Sequence, residues 1–349
     1  MVHRSRLTRF KAYTLANLAM LLLSLSPTAA MAANDEPTHE EVKSITFEMG
    51  DEGRLETIGM NRDGELLASV TWLVKKPDAT GDPPPSNNPA FWDYWDEKRE
   101  IRVLDHHGGL KRRIEIPKVI PLQLVGTDDG SIYIGGEYRI VRIDPNGVIT
   151  DKAKIVDVIP DTSNDTHVSG LAVTEKYLFV AIGTGRSLRA TEEIVRLTRD
   201  LKEPTVIVDR QFGCCSHIDM AVHDETLYIA ENSRHRVNLF SFDGELLDQF
   251  GKRDRTGIEG FAACCNPVNL DIAGEMIVTA ESGIGRVKSF DLEGNFQQLI
   301  GYVDTTKFDR GSRVASLSCY IPVEVGPGGD RIYVMDVRAR SIRVLERKK

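Results

Sequence analysis

The chain has 349 residues, and its 44 Lys and Arg against 52 Asp and Glu give a formal net charge of −8 at pH 7. An acidic chain is a poor partner for nucleic acid or an anionic membrane, because both bind basic surfaces. The length would hold two ordinary domains or one large closed repeat.

The first 32 residues have the pattern of a secretory signal peptide. A basic segment at 4–11 precedes a short apolar run at 15–25, and small residues at 30–32 fit a cleavage site. We therefore expect the mature chain to begin near Ala33 and to be periplasmic or extracellular, without membrane insertion. Losing the four basic residues of this segment would leave 40 basic against 52 acidic side chains, a net charge of −12.

Short β-rich runs separated by Asp-Gly and related turns recur along the rest of the chain, which is typical of hairpins. Four runs make a unit, and the units repeat about every fifty residues, the period of a propeller blade. We predict an all-β fold, with residues 33–349 forming one six-bladed β-propeller of four-stranded antiparallel blades. The first strands of the units are expected near Leu55 and at Pro121, Val168, His217, Pro267 and Pro322.

Two segments depart from the regular repeat. The last unit, at 321–345, has only three strand-like runs, and Val42–Glu48 alternates in the manner of a strand. We expect Val42–Glu48 to complete the last blade and close the ring, which removes an exposed edge; the alternative is a separate N-terminal arm. An insertion at 75–98 enlarges blade 1, and its clustered aromatics would either contact a partner or fold onto the blade.

The repeated pattern Pro-x-Asn, then a hairpin, then Ala-Glu and Arg-Val-x-x-Phe-Asp is clearest in 217–251 and 267–301. It resembles the NHL-repeat family of six-bladed β-propellers. The paired cysteines and the run at 251–261 are similar to a group of secreted bacterial NHL proteins of unassigned activity. The resemblance implies the fold, while the function has to be argued from a site.

Cysteines stand at the start of the inner strands of the last three units, which a closed ring would bring to one mouth of the channel. Three interpretations stay open for them. They are structural, as disulfides or buried apolar groups; they bind Zn or Cu(I), which thiolate and imidazole suit; or they form a strained, reducible vicinal pair. The candidate metal ligands are Cys214, Cys215, His217, Cys264, Cys265, Cys319 and His167.

Polar residues occupy equivalent positions in four inner strands: Gln123, Asp219, Asn269 and Glu324. They could bind an ion or ordered water, or satisfy backbone groups of neighbouring strands. Acidic residues Glu231, Glu281 and Asp336 end the second strands, and we expect them to form surface ion pairs contributing about 0–1 kcal/mol each. Basic residues of two inter-blade loops could capture an anionic ligand, or be only solvated: Lys252, Arg253, Arg255, Arg310 and Arg313.

These features favour an exported propeller that binds a small molecule, peptide, glycan or protein at its loop-rich channel face, with a Cys/His metal site as one expected component. The alternatives are a metal-dependent lyase or hydrolase and a thiol redox or metal-handling protein. No nucleophile elbow, zincin helix or EF-hand pattern occurs in the sequence, and we assign no catalytic residue.

Overall fold

The computed structural model describes residues 36–50, 53–116, 119–159, 166–183, 191–214, 217–262, 265–304 and 320–349. These residues form six antiparallel sheets of four strands each. The innermost strand of every sheet contacts the innermost strands of the two neighbouring sheets, and the last contacts the first. The predicted six-bladed β-propeller is therefore confirmed.

Blades 1 to 3 each use four consecutive strands, numbered from the channel outward. Blade 1 consists of β2 (Arg54–Met60), β3 (Leu66–Lys75), β4 (Trp95–Leu104) and β5 (Leu110–Glu115). Blade 2 consists of β6 (Pro121–Gly126), β7 (Ile132–Gly136), β8 (Arg139–Ile143) and β9 (Ile149–Lys154). Blade 3 consists of β10 (His167–Val173), β11 (Tyr177–Gly183), β12 (Glu192–Thr198) and β13 (Thr205–Gln211).

Blades 4 and 5 continue the same pattern, whereas blade 6 takes its outer strand from the beginning of the described chain. Blade 4 consists of β14 (Met220–His223), β15 (Thr226–Glu231), β16 (Arg236–Ser241) and β17 (Leu246–Phe250). Blade 5 consists of β18 (Asn269–Ala273), β19 (Met276–Glu281), β20 (Arg286–Phe290) and β21 (Phe296–Tyr302). Blade 6 consists of β22 (Val323–Val325), β23 (Arg331–Asp336), β24 (Ser341–Arg347) and β1 (His39–Thr46).

The ring is closed by antiparallel pairing of β1 with β24, in which Ile45 lies opposite Ile342 and His39 opposite Arg347. The predicted closing strand is thus confirmed, although it begins three residues earlier than Val42. Because β24 would otherwise be an unpaired edge, this pairing protects the last blade from association with other chains.

Six hydrophobic clusters hold the ring together, one at each interface between adjacent blades. Between blades 4 and 5, for example, Val237 and Phe261 pack with Ile277 and Phe290. Burying one large apolar side chain stabilises the fold by about 1.5–3 kcal/mol. Since hydrogen bonding runs mainly within a blade, these side chains supply most of the cohesion between blades.

Glycines in the outer hairpins permit close packing between blades. Gly244 and Gly294 have φ angles of 88° and 83°. A Cβ at Gly244 would stand 1.9 Å from the carbonyl oxygen of Ile207, and one at Gly294 would stand 2.2 Å from Phe250. Each of these turns lies against the outer strand of the preceding blade, so a side chain there would separate the two blades.

Some predicted boundaries shift in the structure. The ladders of the last three inner strands begin at Met220, Asn269 and Val323, slightly after the predicted starts. The inner strand of blade 2, by contrast, begins at the predicted residue, Pro121.

The insertion in blade 1 is shorter than predicted, because β3 extends to Lys75 and β4 begins at Trp95. The connection contains the short helix α1 (Phe91–Tyr94), in which Phe91 and Tyr94 are buried. Trp92 remains 54% exposed. A second short helix, α2 (Ile155–Val158), follows β9, and a 3-10 turn spans Asn232–Arg234. No described helix has the length and hydropathy of a bilayer-spanning segment.

Candidate functional site in the axial channel

A cavity of about 360 Å³ lies on the propeller axis, and inner strands of all six blades line it. Its charged lining is mostly acidic, with Asp219, Asp271 and Glu324 contributing carboxyl groups. Arg62 is the basic residue of the described lining, and its guanidinium lies 3.7 Å from Glu175. When these carboxyl groups are ionised, the cavity carries an excess of negative charge.

Polar side chains of the inner strands bond to the next blade around the ring. Gln123 Nε2 donates to the Ser169 carbonyl at 2.8 Å, and Asp219 Oδ2 accepts from the backbone N–H of Leu270 at 3.1 Å. In the same manner Asn269 Oδ1 accepts from the N–H of Ile321 at 3.3 Å. These three predicted ligand-binding positions thus satisfy backbone groups that face the channel, as buried polar groups require.

Asp271 also bonds to the next blade, and the sequence analysis did not identify it as a channel residue. It follows Asn269 by two residues on β18, and its Oδ2 accepts from the N–H of Val325 at 2.7 Å. Side chains two apart on a strand share a face. The alternation beginning at Asn269 was therefore a signal that could have identified Asp271 as a channel residue.

Glu324 departs from the pattern of its equivalents in the other blades. It lines the cavity, yet no hydrogen bond or ion pair joins its carboxyl group to any residue that the structure describes. Instead it faces the negative charges of Asp271 and Asp219. A carboxylate held beside other carboxylates without a donor is costly, and the cost falls when a cation binds or a proton is taken up.

The electrostatics of the channel follow from this crowding. Burial raises the pKa of Asp219 to about 7 and that of Asp271 to about 6. Burial, and after it the charges of Asp271 and Asp219, raise the pKa of Glu324 well above its usual range. These side chains are half-buried in the channel wall, so less water is available to solvate a charge there than at the outer surface.

Next to Asn269 and Asp219 lie His217 and Tyr320, whose rings meet edge to face with centroids 4.8 Å apart. Asn269 Nδ2 lies 3.2 Å from His217 Nε2 and donates to Asp219 Oδ2 at 2.9 Å. The Tyr320 hydroxyl donates to the Leu122 carbonyl at 3.1 Å. Burial lowers the pKa of His217 to about 3, so its imidazole is neutral at pH 7.

A second polar group near the channel belongs to blade 3. Ser169 Oγ donates to Glu192 Oε2 at 2.7 Å, and Glu192 is fully buried. Burial raises the pKa of Glu192, while the charge of His167 acts in the opposite direction. No sequence pattern distinguished Glu192 from its neighbours, and His167, predicted as a metal ligand, lies beside this carboxyl group.

The two described cysteines precede the inner strands of the adjacent blades 4 and 5 and lie together. Cys265 Sγ lies 2.6 Å from Cys214 Sγ. Cys215, Cys264 and Cys319 lie outside the described residues, and the predicted Zn or Cu(I) site stays a prediction. Across the described ranges, no group of three His, Cys, Asp or Glu is arranged to hold a metal ion.

The predicted basic loop residues Lys252, Arg253 and Arg255 are exposed on the loop at 251–262. This loop is tied back on itself, since the N–H of Asp254 donates to the Phe261 carbonyl at 2.9 Å. The three basic side chains therefore belong to an ordered surface loop and do not line the acidic cavity. Arg310 and Arg313 lie outside the described residues.

The acidic residues that end the second strands are buried, which corrects the prediction that they form surface pairs. Glu231, Glu281 and Asp336 are each 0% exposed. Removing one member of a buried pair costs about 3–5 kcal/mol, because the other charge is left without a partner. The pairs are Glu231–Arg236 at 2.5 Å, Glu281–Arg286 at 2.6 Å, Glu281–Lys288 at 3.0 Å and Asp336–Arg343 at 2.9 Å.

Known structures with a similar fold include enzymes and a WD40 domain. A gluconolactonase from Xanthomonas campestris aligns with a TM-score of 0.52 and 13% identity over 91% of this chain and 99% of its own. The WD40 domain of Neurospora crassa Pan2 aligns with a TM-score of 0.49 and 10% identity, covering 90% and 97% of the two chains. For a glutaminyl cyclase from Myxococcus xanthus the values are 0.45 and 9%, with 90% and 100% covered.

No protein-family model and no curated protein matches the sequence. At identities this low, structural similarity supports the fold alone, because one fold carries many activities. The chain is a β-propeller, and its membership of the NHL-repeat family stays a prediction.

Proposed function

We propose that this protein is an exported binding propeller that holds a small alkylammonium ligand in its axial channel. The observation that carries the proposal is Glu324, a channel carboxyl group that no described residue supplies with a hydrogen bond or a counter-charge. An ammonium group is a compact cation with up to three donors, so it would provide both.

The rest of the cavity supports the same ligand class. Asp219 and Asp271 add two carboxyl groups to that of Glu324. The one basic residue of the described lining, Arg62, lies near Glu175 rather than beside the acids. No basic side chain of the described lining therefore neutralises these acidic groups. A bound cation would be attracted strongly, because the surroundings have a low dielectric constant.

The size of the cavity favours an organic cation over a bare metal ion. Its volume of about 360 Å³ lies at the lower end of the range for small-molecule sites. Donors from the backbone and from Asn269 already occupy Asp219 Oδ2. A metal-dependent lyase or hydrolase is the competing hypothesis.

Isothermal titration calorimetry on the chain from Ala33 to Lys349 tests the proposal. The probe is putrescine, and the matched control is 1,4-butanediol, which has the same carbon chain without the charges. We expect putrescine to bind with one ligand per protein and a Kd of about 1 mM or tighter, and butanediol not to bind. Tight binding of a divalent metal without putrescine binding would overturn the proposal in favour of the metal hypothesis.

Two variants locate the binding. Glu324→Gln keeps the size of the side chain but removes its charge, and it should weaken putrescine binding at least about tenfold, a loss of about 1.4 kcal/mol. Asp248→Asn removes an exposed carboxylate on β17 and should leave the affinity unchanged. Equal effects of the two substitutions would mean that putrescine responds only to net charge, which contradicts a channel site.

A further inference from the structure

Two cysteines that precede the inner strands of consecutive blades lie next to each other. Cys214 lies shortly before the inner strand of blade 4, and Cys265 shortly before that of blade 5. Their sulfur atoms are 2.6 Å apart although the residues are 51 positions apart in sequence. This separation lies inside the van der Waals contact of two sulfur atoms. Cys265 is 2% exposed and Cys214 is partly buried.

We propose that Cys214 and Cys265 form a disulfide bond that links blade 4 to blade 5 next to their inner strands. The inference selects one of the three interpretations of the paired cysteines, the structural one, and assigns it to a specific pair. It does not depend on the ligand proposed for the channel.

Buried asparagines hold the backbone on both sides of the bridge. Asn232 Oδ1 accepts from the N–H of Cys214 at 2.7 Å, and Asn232 Nδ2 donates to the His217 carbonyl at 2.8 Å. Asn266, adjacent to Cys265, accepts from the N–H of Ser282 at 2.8 Å. Both asparagines are 0% exposed. The fold thus presents the two thiols to each other by interactions that do not involve sulfur.

The bridge forms by thiol–disulfide exchange with an oxidising disulfide of the export compartment. One cysteine thiolate attacks that disulfide, which releases one thiolate of the oxidant and forms a mixed disulfide. The second cysteine thiolate then attacks the cysteine sulfur of the mixed disulfide and releases the other thiolate of the oxidant. In total Cys214 and Cys265 lose two protons and two electrons, and the oxidant is reduced to two thiols. A new S–S bond links the blades, and the oxidant's S–S bond is broken.

The bridge joins the same two blades as the hydrogen bonds from Asn269 and Leu270 to Asp219. A covalent link would therefore reinforce a polar link between the same two blades. Closing a loop of this length also restricts the unfolded chain, which stabilises the folded state. We expect reduction to lower the melting temperature by about 5–10 °C.

Peptide mapping tests the assignment. The folded mature chain is alkylated without reductant and digested with trypsin, and the peptide at 211–234 should be found linked to the peptide at 256–286. Because each peptide contains two cysteines, the double variant Cys215→Ser with Cys264→Ser is mapped alongside. It should retain the link and the reductant-sensitive melting temperature.

The reciprocal double variant, Cys214→Ser with Cys265→Ser, should lose both the link and the effect of reductant. Three results would overturn the proposal. They are full alkylation of Cys214 and Cys265 in the folded protein, a link that persists in the reciprocal variant, and loss of the link in the Cys215 and Cys264 variant. If the reciprocal variant does not fold, the mapping of the wild type and of the first variant still decides the question.

Discussion

At the scale of single residues, the inner-strand side chains of the channel differ in whether hydrogen-bond donors reach them. Gln123 is neutral, Asn269 is neutral, and Asp219 receives hydrogen bonds from Asn269 and from the backbone of Leu270. Glu324 stands at the equivalent position without such donors in the described residues. An ionisable group without a hydrogen-bond donor or counter-charge lowers the stability of the fold. Such groups are often functional, particularly where the equivalent residues of other blades do have partners.

The affinity for putrescine should rise with pH. The pKa of Asp219 is raised to about 7 and that of Asp271 to about 6, so both carboxyl groups lose protons between about pH 5.5 and 8, while an alkylammonium stays charged. We expect an increase of at least about tenfold in the association constant over this range, measured by calorimetry at constant ionic strength. An affinity independent of pH would place the ligand away from these carboxyl groups.

Glu324→Gln should stabilise the protein even though it weakens binding. A carboxyl group whose pKa is raised on folding is most favourable at low pH, and the folded state loses stability as pH rises from the unfolded pKa towards the folded one. The substitution removes that cost. We expect a higher free energy of unfolding than that of the wild type at pH 8 and little difference at pH 4, measured by urea denaturation. A loss of stability at pH 8 would show that Glu324 is compensated after all.

At the scale of elements, a buried ion cluster supports the loop at 251–262. Glu281 pairs with Arg286 and Lys288, and Lys288 Nζ donates to the carbonyls of Ile258 at 3.0 Å and Gly260 at 2.5 Å. The lysine also lies 4.4 Å from the centre of the Phe261 ring. Burial lowers its pKa to about 8. The buried cluster therefore holds the backbone of the loop in place. From the sequence alone, only the exposed charges of this loop were apparent.

Glu281→Gln should destabilise the protein by about 3–5 kcal/mol, because it leaves Arg286 and Lys288 buried with less compensation. Hydrogen exchange should accelerate throughout residues 251–262, since their carbonyls are held by the same cations. Glu275→Gln, at an exposed turn of the same blade, is the matched control and should change neither quantity. An effect below about 1 kcal/mol would mean that the cluster behaves as a surface ion pair.

At the scale of the whole molecule, the ring depends on β1. Removing residues up to Thr46 should expose the edge of β24 and leave part of the cluster between blades 1 and 6 without cover. Compared with the chain beginning at Ala33, we expect a lower melting temperature and association at micromolar concentration, measured by calorimetry and light scattering. A truncated chain that stays monomeric with an unchanged melting temperature would show that closure by β1 contributes little.

The repeat made the fold predictable, whereas the site was only partly so. Hairpin turns at glycines such as Gly244 and Gly294 carry a local signal, and equivalent positions could be aligned from one unit to the next. Asp219, Asn269 and Glu324 were identified as channel residues in this way. The sequence did not show which of these residues would have hydrogen-bond donors and which would not. That depends on which backbone N–H each carboxyl or amide group contacts in the next blade. The contact between Cys214 and Cys265, and the burial of Glu281, likewise depend on packing between blades.

The most direct test of the channel site is a crystal structure of the chain from Ala33 to Lys349 with putrescine bound. We expect ligand density on the propeller axis, with one ammonium nitrogen within hydrogen-bonding distance of the Glu324 carboxylate and close to Asp219 or Asp271. Putrescine found only outside the channel, or a metal ion coordinated at Glu324 in its place, would contradict it.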